Sequence, residues 1–212
     1  MFKFKAAIVG HSQVPKQIDD LPSRVELDIY RSPGARALGF FSNERLIKVF
    51  DNRYDFVILW IGSNDIHLHC SVAEIAHAIK NIVDQLLARC TPRVRICLIE
   101  PRATEARWKP LMEQETYNKI AKGINNKLQK RLLKGKEVIS FGAKPFWYFL
   151  RSDGVHFTPE GKLRVVIKLR AAICRAFIFQ PEAHWGYSQV TTSENQDRAS
   201  TSSHEAGACG WS

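Results

Sequence analysis

Four short stretches of this chain carry residue types that could do acyl-transfer chemistry together. They are Gly10-His11-Ser12, Gly34, Gly62-Ser63-Asn64-Asp65 and Asp153-Gly154-Val155-His156. A serine hydroxyl is a poor nucleophile until a base takes its proton, and histidine suits that task near neutral pH. Asp153 lies three residues before His156, and a turn through Gly154 can fold its carboxylate onto the far ring nitrogen. Acyl transfer also needs donors aimed at the oxyanion that develops. The backbone N–H of Ser12, the N–H of Gly34 and the side-chain amide of Asn64 are candidates. A glycine suits such a position because backbone must approach the substrate closely.

Simpler readings fit the same residues. Ser12 alone could be a turn residue, and Pro33-Gly34 fits a type II turn. Asp153–His156 could be the entry to a helix, with Thr158 as N-cap before Pro159. That reading is compatible with the chemical one, since the cap would hold the histidine in place.

The elements around these stretches predict where they sit. Phe4–Gly10, Val25–Tyr30, Phe56–Gly62, Val94–Ile99 and Val138–Phe141 read as strands. "FVILWIG" is continuously apolar, as a strand buried on both faces should be. Between the strands lie helical patterns over Ala35–Phe50, Ser71–Arg89, Glu113–Leu133 and Pro159–Phe179. Ser71 with Glu74 three residues on is a capping box, and Pro159 fits a first helical turn. Alternating strands and helices imply a mostly parallel five-stranded sheet with helices on both faces. Ligands of such sheets bind beyond the carboxyl ends of the strands. All four stretches fall there or in the loop after the fifth strand, while the fourth strand's end, "LIEPRAT", offers Glu100 and Arg102.

The ordered set Gly10-x-Ser12, Gly34, Gly62-x-Asn64-Asp65 and Asp153-x-x-His156 resembles the motif blocks of the SGNH hydrolases, also called GDSL-type esterases. The resemblance runs from about residue 5 to residue 180. It implies a flavodoxin-like three-layer α/β/α sandwich. It also implies Ser12 as nucleophile, His156 as base, Asp153 as the third triad member, and Ser12, Gly34 and Asn64 as the oxyanion hole. The expected function is then a serine esterase that hydrolyses an acyl or acetyl ester through an acyl-enzyme, with no cofactor. One position departs from the pattern. Where the family usually has aspartate before the serine, this chain has His11, which can still hydrogen-bond the turn backbone without supplying a fixed negative charge.

The chain's 212 residues suit one domain, and 45% hydrophobic with 25% charged residues is ordinary globular composition. From Pro181 onward the composition turns polar, and residues 181–212 read as a disordered tail after a domain of residues 1–180. That tail has four acids and one base, a net of −3, so the first 180 residues hold +13 of a chain whose net charge is +10. Such an excess favours anionic partners. It also supports a second function, a catalytically weak SGNH-like module that binds nucleic acid through its basic surface. The basic body and the "GHSQVP" turn are similar to SGNH domains encoded in some non-LTR retrotransposons. "KLQKRLLKGK", Lys127 to Lys136, is equally well explained as a solvated helix end.

No apolar run reaches membrane-spanning length, and the start, "MFKFKAAIVG", lacks the apolar core and cleavage site of a secretory leader. With five unpaired-looking cysteines, the expectation is an intracellular, cytoplasmic protein with reduced thiols. His67, His69 and Cys70 are spaced too tightly, with no distant fourth ligand, to predict a metal site. "PFWYFL", Pro145 to Leu150, reads as core packing ahead of the histidine loop.

Overall fold

A computed structural model of the chain describes residues 3–66, 70–103, 112–132, 138–141 and 146–179. The strands are β1 (Phe4–Gly10), β2 (Val25–Arg31), β3 (Phe56–Trp60), β4 (Val94–Cys97) and β5 (Val138–Ile139). They form one sheet in the order β2-β1-β3-β4-β5, and every neighbouring pair is parallel. The helices are α1 (Val72–Arg89), α2 (Gln114–Lys127) and α3 (Pro159–Ile178). This is the expected flavodoxin-like α/β/α arrangement.

Side-chain alternation explains the three layers. Ala7 and Val9 of β1, with Val57 and Leu59 of β3, pack into one core with Ile75, Ile79 and Leu86 of α1 and Tyr117, Ala121 and Ile124 of α2. Phe4, Ala6 and Ile8, with Phe56, Ile58 and Trp60, pack on the opposite face against Val165, Leu169 and Ile173 of α3. Central strands with apolar side chains on both faces can only be satisfied by cover on both sides.

Local chemistry sets the helix starts. Ser71 Oγ accepts the Glu74 N–H, and the Glu74 carboxylate accepts the Ser71 N–H at 2.7 Å, completing the capping box of α1. Thr158 Oγ1 accepts the Gly161 N–H at 3.1 Å, with Pro159 opening α3. Caps of this kind contribute about 1 kcal/mol each.

The helix expected over Ala35–Phe50 does not form. Two short 3-10 turns, Phe40–Ser42 and Ile47–Asp51, stand in its place. The Ala37 and Leu38 N–H groups donate to the buried Asp65 carboxylate, and Asn43 Oδ1 accepts from Arg45 and Leu46. The Arg45 N–H, which a helix ladder would have sent to the Phe41 carbonyl, goes instead to the Asn43 side chain. The α2 pattern ends earlier than expected, passing into a π-helical turn at Leu128–Leu132. Leu133, most of the basic stretch after it, Pro145, His67, His69 and residues 181–212 lie outside the described residues. The aromatic run is not all core, since Tyr148 is 72% exposed.

The strand order reverses between β1 and β3, which run out side by side with Gly10 opposite Trp60. In open α/β sheets the crevice for a ligand opens at that switch point.

Candidate active site

The turn after β1 is fastened by both neighbouring strands. The His11 N–H donates to the Trp60 carbonyl of β3 at 3.2 Å, and the Ser32 N–H, just past β2, donates to the Gly10 carbonyl at 2.9 Å. Arg31 adds Nη2 and Nε donors to the Ser12 carbonyl at 2.9 and 3.3 Å. Gln13 Nε2 donates to the Val155 carbonyl at 2.6 Å, tying the turn to the loop that carries His156. Ser12 is therefore held at the top of the sheet by contacts on three sides.

The His156 loop is a small closed unit. Leu150 and Phe157 form an antiparallel bridge, the Arg151 N–H donates to the His156 carbonyl at 2.7 Å, and the Thr158 N–H donates to the Phe149 carbonyl at 2.8 Å. Within it, Asp153 Oδ2 lies 2.9 Å from His156 Nδ1, while Oδ1 accepts the N–H groups of Val155 and His156 at 2.8 Å each. Burial acts to raise the Asp153 pKa. The two N–H donors and the imidazole outweigh it, so the carboxyl sits below its usual range. An ionised carboxylate accepts a hydrogen bond from Nδ1–H, leaving Nε2 as the lone-pair nitrogen that can take a proton from a hydroxyl.

Ser32-Pro33-Gly34-Ala35 closes as a turn in which the Ala35 N–H donates to the Ser32 carbonyl at 3.1 Å. Gly34 has φ +75°, which a type II turn requires at that position and which L side chains resist. The turn hydrogen bond uses the Ala35 donor, so it does not consume the Gly34 N–H. Asn64 Nδ2 spends one hydrogen on the Ala35 carbonyl at 2.9 Å, which fixes the amide and leaves its second hydrogen.

Ser12, Gly34, Asn64 and His156 line one cleft of about 350 Å3. Asp153 supports it from behind His156. The cleft continues past the end of β4 to Glu100, Arg102 and Tyr117. The Arg102 guanidinium stacks on the Tyr117 ring at 3.8 Å, and its Nε is buried without a partner. Glu100 Oε1 is also sealed without a partner, and burial pushes that carboxyl up to about 8, so it is protonated at neutral pH.

The family described as GDSL-like Lipase/Acylhydrolase matches residues 10–164. The chain belongs to that family. No curated protein matches it in sequence. Among solved structures it is similar in fold to Est24, a carbohydrate acetylesterase from Sinorhizobium meliloti (16% identity, 82% of this chain and 99% of that one, TM-score 0.62). A member of the lipolytic protein G-D-S-L family from Veillonella parvula is comparably similar (14% identity, 81% and 99%, TM-score 0.60). So is a carbohydrate esterase family 3 protein from Talaromyces cellulolyticus (16% identity, 84% and 100%, TM-score 0.57).

Several groups that build this GDSL-like site went unassigned in the sequence reading. Asp65, fully buried, anchors the segment after Gly34 through two backbone N–H groups. Arg31 and Gln13 brace the serine turn. Asn118 and Asn125 each clasp one residue after β4 with donor and acceptor together. Asn125 bonds both backbone groups of Ile99, and Asn118 bonds both of Arg102. The one legible signal was their spacing of seven, which puts both amides on one helix face.

His11 departs from the family's usual aspartate, and the structure shows what replaces the charge. The ring is 2% exposed and packs edge-on against Trp60 at 5.6 Å. Nδ1 accepts the Gln13 N–H at 3.3 Å, which places the ring proton on Nε2, 3.3 Å from Ser63 Oγ. Burial first, then Arg31 and His156, push its pKa down to about 3. Between pH 6.5 and 3 the unfolded chain therefore binds a proton that the folded chain refuses. The stability His11 confers is complete above pH 6.5 and drains away as pH falls toward 3, by up to ~1.4 kcal/mol for each pH unit. His11→Asn keeps an acceptor for the Gln13 N–H but does not titrate. Urea midpoints measured from pH 7 to pH 4 should fall less steeply for this variant than for the parent. Equal slopes would show that folding leaves the His11 pKa at its ordinary value.

Proposed function

We propose that this protein is a serine ester hydrolase that cleaves a short acyl ester, such as an acetyl ester, through an acyl-enzyme. The observation that carries the reading is the 2.9 Å contact between Asp153 and His156, with His156 lining the same cleft as Ser12, Gly34 and Asn64. Ser12 Oγ attacks the carbonyl carbon and its proton passes to His156 Nε2. The oxyanion is held by N–H donors of Ser12, Gly34 and Asn64. The C–O bond to the alcohol then breaks, His156 protonates the departing oxygen, and a water activated by the same imidazole frees the acyl group. Asp153 holds the tautomer and stabilises the imidazolium. A cleft of about 350 Å3 that ends at the polar Glu100 and Arg102 favours a small acyl group over a long alkyl chain. A name such as carbohydrate acetylesterase among the similar folds supports acetyl as the group to try first.

Hydrolysis of p-nitrophenyl acetate by the parent and by Ser12→Ala tests this. The variant should lose at least about 10³-fold in kcat, because attack has no other hydroxyl placed by the turn. Equal turnover by both proteins would overturn the mechanism.

A further inference from the structure

A second groove of about 410 Å3 shares Ser12 and His156 with the first cleft. Ser12 and His156 line both spaces, but Gly34 and Asn64 line only the first. Among the described residues the second groove is lined by Lys16, Arg31, Arg151 and Lys162 and by no carboxylate. Lys16, Arg151 and Lys162 are exposed and have no acidic partner within ion-pair distance among the described residues. Arg31 gives two of its donors to the Ser12 carbonyl and still adds its charge. The Asp153 carboxylate, hydrogen-bonded to His156 and Val155, does not line this groove, and its single negative charge offsets only part of the four positive ones.

The division of the two spaces says which half of an ester each would take. The reacting carbonyl must reach Gly34 and Asn64, so the acyl group occupies the first cleft. The departing alcohol must reach His156 to receive its proton, so it extends along the histidine side. The four cations thus face the alcohol. Like charges crowded in one concavity repel each other, and a multiply charged anion relieves that repulsion while gaining charge-assisted hydrogen bonds.

We propose that the groove lined by Lys16, Arg31, Arg151 and Lys162 is a phosphate subsite, and that the alcohol portion of the natural ester carries a phosphate group. This rests on the ester-hydrolase reading above. The phosphate could belong to a soluble phosphorylated alcohol or to a lipid headgroup.

The test compares 1-acetylglycerol 3-phosphate with neutral 1-acetylglycerol at low ionic strength. The parent should favour the phosphorylated ester in kcat/KM by about tenfold or more. The double variant Lys16→Ala/Lys162→Ala should bring the two esters within about threefold while hydrolysing the neutral one at the parent rate, and high salt should mimic it. A parent ratio near one, or a ratio the double variant leaves unchanged, overturns the subsite. A preference that persists with a long-chain 1-acylglycerol 3-phosphate identifies a lipid headgroup as the source, and one confined to the acetyl ester identifies a soluble alcohol. Binding of glycerol 3-phosphate, against glycerol, is measured separately on the parent and the double variant. Phosphate-dependent binding that the double variant weakens, without turnover of either ester, upholds the subsite and sinks the hydrolase reading. Turnover with no such binding difference does the reverse.

Discussion

Asp153→Asn should lower kcat by roughly 10³- to 10⁴-fold with KM little changed and the fold intact. The carboxylate uses one oxygen for two backbone N–H groups and the other for His156 Nδ1. An asparagine has one acceptor oxygen. The two N–H donors claim it, which turns the amide NH2 toward Nδ1. That nitrogen must then accept, the ring proton moves to Nε2, and the imidazole can no longer take a proton from Ser12. Because the backbone hydrogen bonds survive, thermal stability should change far less than rate. Steady-state kinetics on p-nitrophenyl acetate would separate the two effects. A variant within tenfold of the parent kcat would remove Asp153 from the mechanism.

Gly10→Ala is expected to cost about 3 kcal/mol or more in stability, and to misplace Ser12 in whatever fraction still folds. A Cβ at Gly10 would land on the Trp60 carbonyl oxygen and press on Val14 Cγ2 at 3.0 Å. That same carbonyl accepts the His11 N–H, and Gly10 pairs with Arg31 on one side and Trp60 on the other. No side-chain rotation can relieve a clash with backbone in the middle of a sheet, so β1 and β3 must part where the Ser12 turn begins. Urea denaturation followed by circular dichroism would measure the loss. A change under about 1 kcal/mol would mean that the two strands do not approach so closely there.

Much of the fold was legible because it depends on local and near-local chemistry. The continuous apolar run "FVILWIG", the capping box at Ser71 and Pro159 after Thr158 each specify an element without reference to distant residues. The order of the glycine, serine, asparagine and histidine stretches sufficed to place them at strand ends, because connectivity in an alternating α/β chain leaves few other positions. Sequence reasoning failed at Ala35–Phe50 for a definite reason. Its apolar spacing is helical, yet Asn43 folds its side-chain oxygen onto the Arg45 and Leu46 N–H groups in mid-segment, while Asp65, from beyond β3, fixes the Ala37–Leu38 backbone.

The sequence by itself therefore determined the architecture and the set of candidate reactive groups. Only the tertiary structure decided what surrounds them, because burial and charge environment depend on residues far apart in the chain. His11 is kept neutral by Trp60 and by the closure of the sheet around it, and Glu100 is kept protonated by burial at the end of β4. Lys16, Arg31, Arg151 and Lys162 are spread over nearly 150 residues of sequence, and no local pattern marks them as a group. They become one charged groove only when the loop after β1, the end of β2, the loop before α3 and the first turn of α3 come together around Ser12 and His156.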